Sequence, residues 1–420
     1  MKQLLKSAKK SYRVISTVAL FCLLFASCRT HKTTTVLPSE SVENATGTSS
    51  IVTNPIVSDT MDNTFLHPTL SMEEMTVALW QQLDDKKNNV WFSPLCLGLA
   101  MRTVAYGAKG DTQEQLRRII TDRRIESSNQ IQIADALFVN PSIPLDANYI
   151  ARCQAIGAEI NQLPISAKVI NLWANNHTNG KISHVFNDPM PAELKLVIAN
   201  AVYFYAQWYE PFNEHATRED TFYLSSRARA NEPTTLVPMM RKADRFYYKQ
   251  TDDAQIIEIP FQKDDKGNAF AMTLVLPREG LTASELLKKM TAEQLDKWLS
   301  LGYKEKVILR MPKLQIQYNR VLTDDLRKMG VTKPFTSKAD FSGMSTTPLA
   351  INIVKQITYL DMNEKGTEAA AVTVAAMRLG SRPVQDDPIE MTVNRPFLMI
   401  LHERNTHTPV FVGIIHNPKQ

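Results

Sequence analysis

The run Glu364-Lys365-Gly366-Thr367-Glu368-Ala369-Ala370-Ala371-Val372-Thr373-Val374-Ala375-Ala376-Met377-Arg378-Leu379-Gly380-Ser381-Arg382-Pro383 decides how this chain is read. In a strand, alternate side chains share a face. Thr367, Ala369, Ala371, Thr373 and Ala375 then line one face, and all are small. Glu368, Ala370, Val372, Val374 and Ala376 line the other, which carries the charge. No proline interrupts Gly366 to Arg382, so every backbone N–H is free to join a ladder. Alanine is nevertheless a poor strand former and a good helix former. The segment can become a strand without being committed to one, and a surface helix or linker is an equal reading of the run alone. Ser381 to Pro388 is polar and proline-containing, as in an exposed loop.

Outward from this run, Ile351 to Asp361 reads as a strand leading into it. Downstream come Met391-Thr392-Val393-Asn394-Arg395-Pro396-Phe397-Leu398-Met399-Ile400-Leu401 and Pro409-Val410-Phe411-Val412-Gly413-Ile414-Ile415-His416-Asn417-Pro418. These two blocks resemble the signature and the C-terminal strand of the serpin family, and the opening run resembles its hinge and reactive-centre loop. Further resemblances lie in Asn88 to Pro94 with Gly107-Ala108-Lys109-Gly110-Asp111-Thr112, in Ile133 to Val139, in Ile170 to Ile182, and in Ala339 to Gly343. The resemblance covers about 70–420. It implies an α+β serpin fold: a large central mixed β-sheet, smaller sheets, surrounding helices and an exposed reactive-centre loop at about 364–390.

Periodicity supplies the remaining elements. Helices are expected over Thr69 to Leu83, Leu95 to Gly107, Thr112 to Ile120, Thr282 to Leu299 and Leu322 to Met329. Leu95 to Gly107 is apolar all round, so it is expected to be buried. Thr282 and Glu285 have capping-box spacing. Strands are expected at Leu196 to Tyr205, Ile256 to Pro260, Phe270 to Leu276 and Val307 to Leu314. The family resemblance implies that Trp208 lies at the top of the central sheet, in the region called the breach.

With 420 residues, 44% of them hydrophobic, the chain can bury one large core. The net charge of +5 comes largely from Lys and Arg in the first 32 residues, which leaves nothing that argues for nucleic acid. Lys2, Lys6, Lys9, Lys10 and Arg13 precede the apolar run Val14 to Ala26, which is too short for a spanning helix. Leu24-Phe25-Ala26-Ser27-Cys28 resembles a bacterial lipobox, with Phe25 where Leu is usual. Residues 1–28 are therefore expected to be a lipoprotein signal ending at a lipidated Cys28, 29–66 a flexible tether, and 67–420 the serpin domain. The expected location is the cell envelope, lipid-anchored at the outer membrane or cell surface; a periplasmic or secreted protein is the alternative. Cys96 and Cys153 remain, and both are expected to be buried free thiols, though one bridge is possible in an oxidising compartment.

Enzyme motifs are missing: there is no Gly-x-Ser-x-Gly, no His-Glu-x-x-His, no phosphate loop and no Cys-x-x-Cys. The eight histidines are scattered, and no cofactor or metal is expected. The resemblance implies instead a monomeric inhibitor whose partners are serine proteases; whether cysteine proteases are also trapped is open. In such a mechanism the protease acylates itself on the loop, the cut loop inserts into the large sheet, and the displaced enzyme cannot complete hydrolysis. A charge on the inserted face would face a desolvation cost of several kcal/mol. The hinge, Glu364, Gly366, Thr367, Glu368, Ala369, Ala370, Ala371 and Thr373, fits insertion because its inward positions Thr367, Ala369, Ala371 and Thr373 are all small. The family's usual spacing points to Gly380-Ser381 as the scissile bond, while side-chain chemistry favours Met377, Arg378 or Leu379. Arg382 precedes a proline and is unsuited to trypsin-like attack. The family's polar shutter is matched by Ser93 and Asn200, but Cys96 replaces its second serine and Gln356 its histidine. A non-inhibitory serpin, a carrier, chaperone or substrate, is the alternative function.

Overall fold

The computed structural model describes residues 66–367 and 387–420. In chain order the helices are α1 (Met72–Leu83), α2 (Pro94–Ala105), α3 (Gly110–Leu116), α4 (Ala147–Ala155), α5 (Ala167–His177), α6 (Ala283–Lys289), α7 (Ala292–Leu299) and α8 (Thr323–Lys328). The strands are β1 (Val90–Phe92), β2 (Ile131–Val139), β3 (Glu159–Asn161), β4 (Leu196–Phe204), β5 (Ala206–Gln207), β6 (Arg218–Tyr223), β7 (Thr234–Gln250) and β8 (Ala254–Pro260). They continue as β9 (Phe270–Pro277), β10 (Lys304–Pro312), β11 (Leu314–Val321), β12 (Ile353–Asn363), β13 (Gly366–Thr367), β14 (Ile389–Thr392), β15 (Phe397–Glu403) and β16 (Thr408–Ile415).

Among the described residues these strands form two sheets. The seven-stranded sheet runs β3-β2-β4-β12-β13-β5, with β11 on the outer side of β12. It is mixed: β12 lies parallel to β4 and β3 parallel to β2, while β2·β4 and β11·β12 are antiparallel. The nine-stranded sheet runs β1-β16-β15-β9-β8-β7-β10-β14, with β6 on β7. The expected mixed central sheet with helices around it is what the chain builds.

The central strand is buried on both faces, which is why Leu196 to Phe204 is so apolar. One face, including Ile198 and Val202, joins the main core with α2; the other, including Ala199 and Tyr203, packs with Ile170, Trp173 and Ala174 of α5. Local signals place the helix starts. Ser71 and Glu74 close a capping box on α1, and Thr282 and Glu285 do the same on α6.

Four expectations need correction. The helix expected over Thr282 to Leu299 is two helices, because Met290 is extended and Thr291 starts a new cap by accepting from the Gln294 N–H. The helix expected over Thr112 to Ile120 spans Gly110–Leu116, and that expected over Leu322 to Met329 spans Thr323–Lys328. The strand expected at Val307 to Leu314 is β10, which ends at Pro312; Lys313 separates it from β11.

Candidate functional site

The site is built where β12 runs out at the top of the seven-stranded sheet. Below that point β12 and β4 pair directly, from Ile353↔Val197 to Tyr359↔Tyr203, so the sheet is closed through its middle. At the top, Gly366 and Thr367 slip between β12 and β5, pairing with Asn363 and Met362 on one side and with Gln207 and Ala206 on the other. Both ladders are antiparallel. Thr367 is fully buried, and its hydroxyl accepts the Ala206 N–H at 2.7 Å. Its side chain therefore faces the core, as the alternation of the run requires.

Gly366 has to be glycine. Its φ is +145°, and a Cβ would sit 2.0 Å from the Ala206 carbonyl oxygen. Trp208, fully buried, holds the turn before it. The indole N–H donates to the Asn363 carbonyl and the backbone N–H to the Lys365 carbonyl, each at 2.9 Å, while the ring stacks on Phe261 at 4.3 Å. Glu364 is buried beside it, accepting from the Thr217 hydroxyl at 2.6 Å and from Lys313 Nζ at 2.9 Å. Burial alone would raise the Glu364 carboxyl, but Thr217 and Lys313 outweigh it and hold it below its usual range.

Lower down lies a polar chain across the β4–β12 junction. Gln356 is fully buried. Its amide nitrogen donates to Asn200 Oδ1 and to the Ser93 carbonyl, both at 2.9 Å, and its oxygen accepts the Ser93 N–H at 2.9 Å. Ser93 Oγ donates to the Val410 carbonyl at 2.6 Å and accepts the Cys96 N–H at 3.2 Å, capping α2. Asn200 in turn donates its amide to Asp135 on β2. Burial pushes the Asp135 carboxyl up to about 7, against the lowering effect of Asn200. It also pushes the Cys96 thiol well up, helped by the nearby Asp135. Cys96 and Cys153 are both buried and free.

The structure thus brings Ser93, Asn200 and Gln356 together. Cys96 joins through its backbone. Glu364, Gly366, Thr367 and Trp208 form a second group above them. Glu368, Ala369, Ala370, Ala371, Thr373, the candidate bonds at Met377, Arg378, Leu379, Gly380 and Ser381, and Cys28 all lie outside the described residues. Three contributors were not singled out from sequence: Asp135, Lys313 and Thr217. Asp135 carried a signal, as the one acid in the apolar run Ile131 to Val139. Among the described residues no cluster of His, Cys, Asp or Glu could hold a metal, and no helix is long and apolar enough to cross a membrane.

The family model described as "Serpin (serine protease inhibitor)" matches residues 70–418. The chain belongs to the serpin family. An uncharacterized serpin-like protein of Methanosarcina acetivorans is 31% identical over 362 residues, covering 79% of this chain and 82% of its own. A similar protein of Thermococcus kodakarensis is 29% identical, covering 83% and 85%. An alpha-1-antitrypsin-like protein of Tamias sibiricus is 29% identical, covering 83% and 88%. Among solved structures, native tengpin, a thermophilic serpin, superposes with a TM-score of 0.72 at 24% identity, covering 82% of this chain and 93% of tengpin. Human thyroxine-binding globulin with its ligand gives 0.72 at 24%, covering 83% and 98%. Structural likeness at that identity speaks for the serpin fold alone.

Proposed function

We propose that this serpin is a suicide inhibitor of serine proteases of trypsin-like or elastase-like specificity. The observation that carries the reading is the two-residue wedge of Gly366 and Thr367 above a closed β4–β12 ladder. Insertion would exchange one parallel ladder for two antiparallel ones, which pair slightly better per residue. At a net ~1 kcal/mol per bond, about ten new hydrogen bonds supply on the order of 10 kcal/mol, comparable to a domain's whole stability.

The register supports the fit. Extending Thr367↔Met362 and Thr367↔Ala206 down the sheet would set Ala369 opposite Leu360, and Thr373 between Gln356 and Asn200. The Thr373 hydroxyl could then bridge two amides that now bond each other. Small side chains would meet the core face, and Glu368 the outer one. The chain supplies no nucleophile in this scheme; the protease does. Residues 1–28 are proposed to direct lipidation at Cys28, and 29–66 to tether the inhibitor at the cell envelope, where it would shield envelope proteins.

The test is to mix the domain with a trypsin-like and an elastase-like protease, look for an SDS-stable complex, and sequence the released peptide. A start at Leu379 identifies Arg378 as bait. A start at Arg378, Gly380 or Ser381 points to elastase- or chymotrypsin-like targets. Clean cleavage without a complex for both enzymes refutes inhibition and favours the substrate or carrier reading.

A further inference from the structure

Strands β7 and β10 carry an unusual charge arrangement on their solvent face. The antiparallel register sets Arg245 directly opposite Lys306 and Arg241 directly opposite Arg310. Like charges in directly opposed positions destabilise a ladder. Arg241, Arg245 and Lys304 are exposed and Lys306 half-buried, and among the described residues none of the four has an ion-pair partner. Arg310 is paired, to Glu390 at 2.9 Å. At the same end of the face Lys304 lies over the Tyr247 ring at 4.9 Å, with Arg404 over the same ring at 5.0 Å. Arg404 is held by the buried Glu258 at 2.9 Å. The chain keeps two opposed cation pairs on one face, separated by the Ala243·Ile308 pair, and among the described residues only Arg310 of the four is neutralised.

The place of this face gives it a use. The reactive loop returns to the body through β14, which pairs in parallel with β10 from Ile389↔Val307 to Thr392↔Arg310. The described chain resumes at Asp387, one ladder step before the level of Lys306 and Arg245. Asp387 is exposed and forms no ion pair with the face among the described residues. The face therefore lies beside the point where the loop rejoins the body, with Lys306 and Arg245 one ladder step beyond Asp387.

We propose that the face formed by Arg241, Arg245, Lys304 and Lys306 is a docking surface for an acidic rim on the protease held by the loop, and so selects among enzymes of one cleavage specificity. This rests on the inhibitory reading above. Complementary fields of this kind raise association rates by about 10- to 1,000-fold at low salt, and the gain falls as salt rises.

The test uses the full chain and whichever protease gives the SDS-stable complex, as one acidic and one basic isoform of the same cleavage specificity. The association rate constant is measured at low and high salt. Wild type should capture the acidic isoform faster, and salt should remove the difference. R245E/K306E should slow the acidic isoform about 10-fold or more at low salt, with stoichiometry and the basic isoform's high-salt rate unchanged. R245Q/K306Q, which relieves the opposed charges and so keeps the fold, should show a smaller loss of the same sign. Equal rates for the two isoforms, or double variants as fast as wild type, overturn the proposal while leaving inhibition standing. So does a heparin oligosaccharide that binds the face while protease charge leaves the rate untouched, since the occupant is then a polyanion. Absence of any complex removes the inhibitory reading and this proposal with it.

Discussion

Replacing Thr367 by arginine separates entry of the hinge into the sheet from every other property of the molecule. Thr367 is fully buried, and its hydroxyl is the acceptor for the Ala206 N–H. Loss of that acceptor leaves a buried donor unsatisfied, at about 1–3 kcal/mol. A guanidinium at the same place, facing Met362 and the apolar core without an acid beside it, adds several kcal/mol more. Against this stand only the few ladder bonds of a two-residue strand, at a net ~1 kcal/mol each. The hinge should therefore leave the sheet, and the intact protein should lose no more than those few bonds. Insertion of the cut loop, by contrast, must carry residue 367 past this point. A penalty of about 3 kcal/mol in that step slows it roughly 100-fold, while deacylation of the protease is unchanged. The variant should behave as a substrate: stoichiometry of inhibition rising about 10-fold or more, cleaved serpin replacing the SDS-stable complex, and only a small fall in the melting temperature of the intact form. Thr367→Val, uncharged but lacking the hydroxyl, should fall between the two. An unchanged stoichiometry for T367R would mean that this side chain does not enter the core face, and would refute the register assignment.

Other expectations follow from the same geometry. Glu364→Lys removes a buried acceptor and sets two cations together at Lys313, so the melting temperature should fall well below that of Glu364→Gln in a thermal scan. Because the Glu364 carboxyl is held low, its contribution is present above the ordinary carboxylate pKa and is lost as the pH falls through the lowered one. Asp135 has the opposite sign. Its folded pKa, about 7, lies above the unfolded value, so its stabilising share is present in acid and is lost as pH rises from about 4 to 7. Relative to Asp135→Asn, wild type should lose at most about 4 kcal/mol over that window in denaturant titrations, and parallel pH profiles for the two proteins would count against it. A thiol reagent should leave Cys96 and Cys153 unlabelled in the native protein and label both after unfolding; rapid native labelling of Cys96 would show that α2 opens.

The parts legible in the sequence were those with one dominant local force. The apolar run at β4, the inward-facing Thr367 and the capping box at Thr282 each followed from burial or hydrogen-bond satisfaction within a few residues. The long β7 was not legible, because Pro238 interrupts it and its charged alternation reads as loop; its ladder is held by β6 and β10, both distant in sequence. The break between α6 and α7 was hidden because Thr291 fits a helical period until its hydroxyl is seen capping Gln294. At the site, Ser93, Asn200 and Gln356 could be named, but not the part of Asp135, which matters only once β2 lies beside β4. Lys313 likewise gains its role from the turn between β10 and β11, which aims it at Glu364.

The composition of the shutter bears on how the closed sheet is kept closed. A side-chain bond from Gln356 to Asn200 crosses the junction that the proposed insertion would open, and Gln356 also takes both backbone groups of Ser93. An uncharged amide can hold this arrangement at any pH, since it donates and accepts without titrating. The only group in this polar chain whose charge changes near neutrality is then Asp135, at its far end, bonded to Asn200 and not to Gln356. By accepting the Asn200 amide it fixes which end of Asn200 faces Gln356, so it acts on the junction through orientation. Asp135→Asn keeps the polar chain intact when it presents its oxygen to Asn200; presenting its nitrogen would turn the Asn200 NH2 onto Gln356 Nε2, donor against donor, so the oxygen choice is the one the network selects. The variant should therefore retain inhibition and lose only the pH dependence. If D135N instead raised the stoichiometry at every pH, the carboxylate itself, rather than the orientation it imposes, would be what keeps β4 and β12 together.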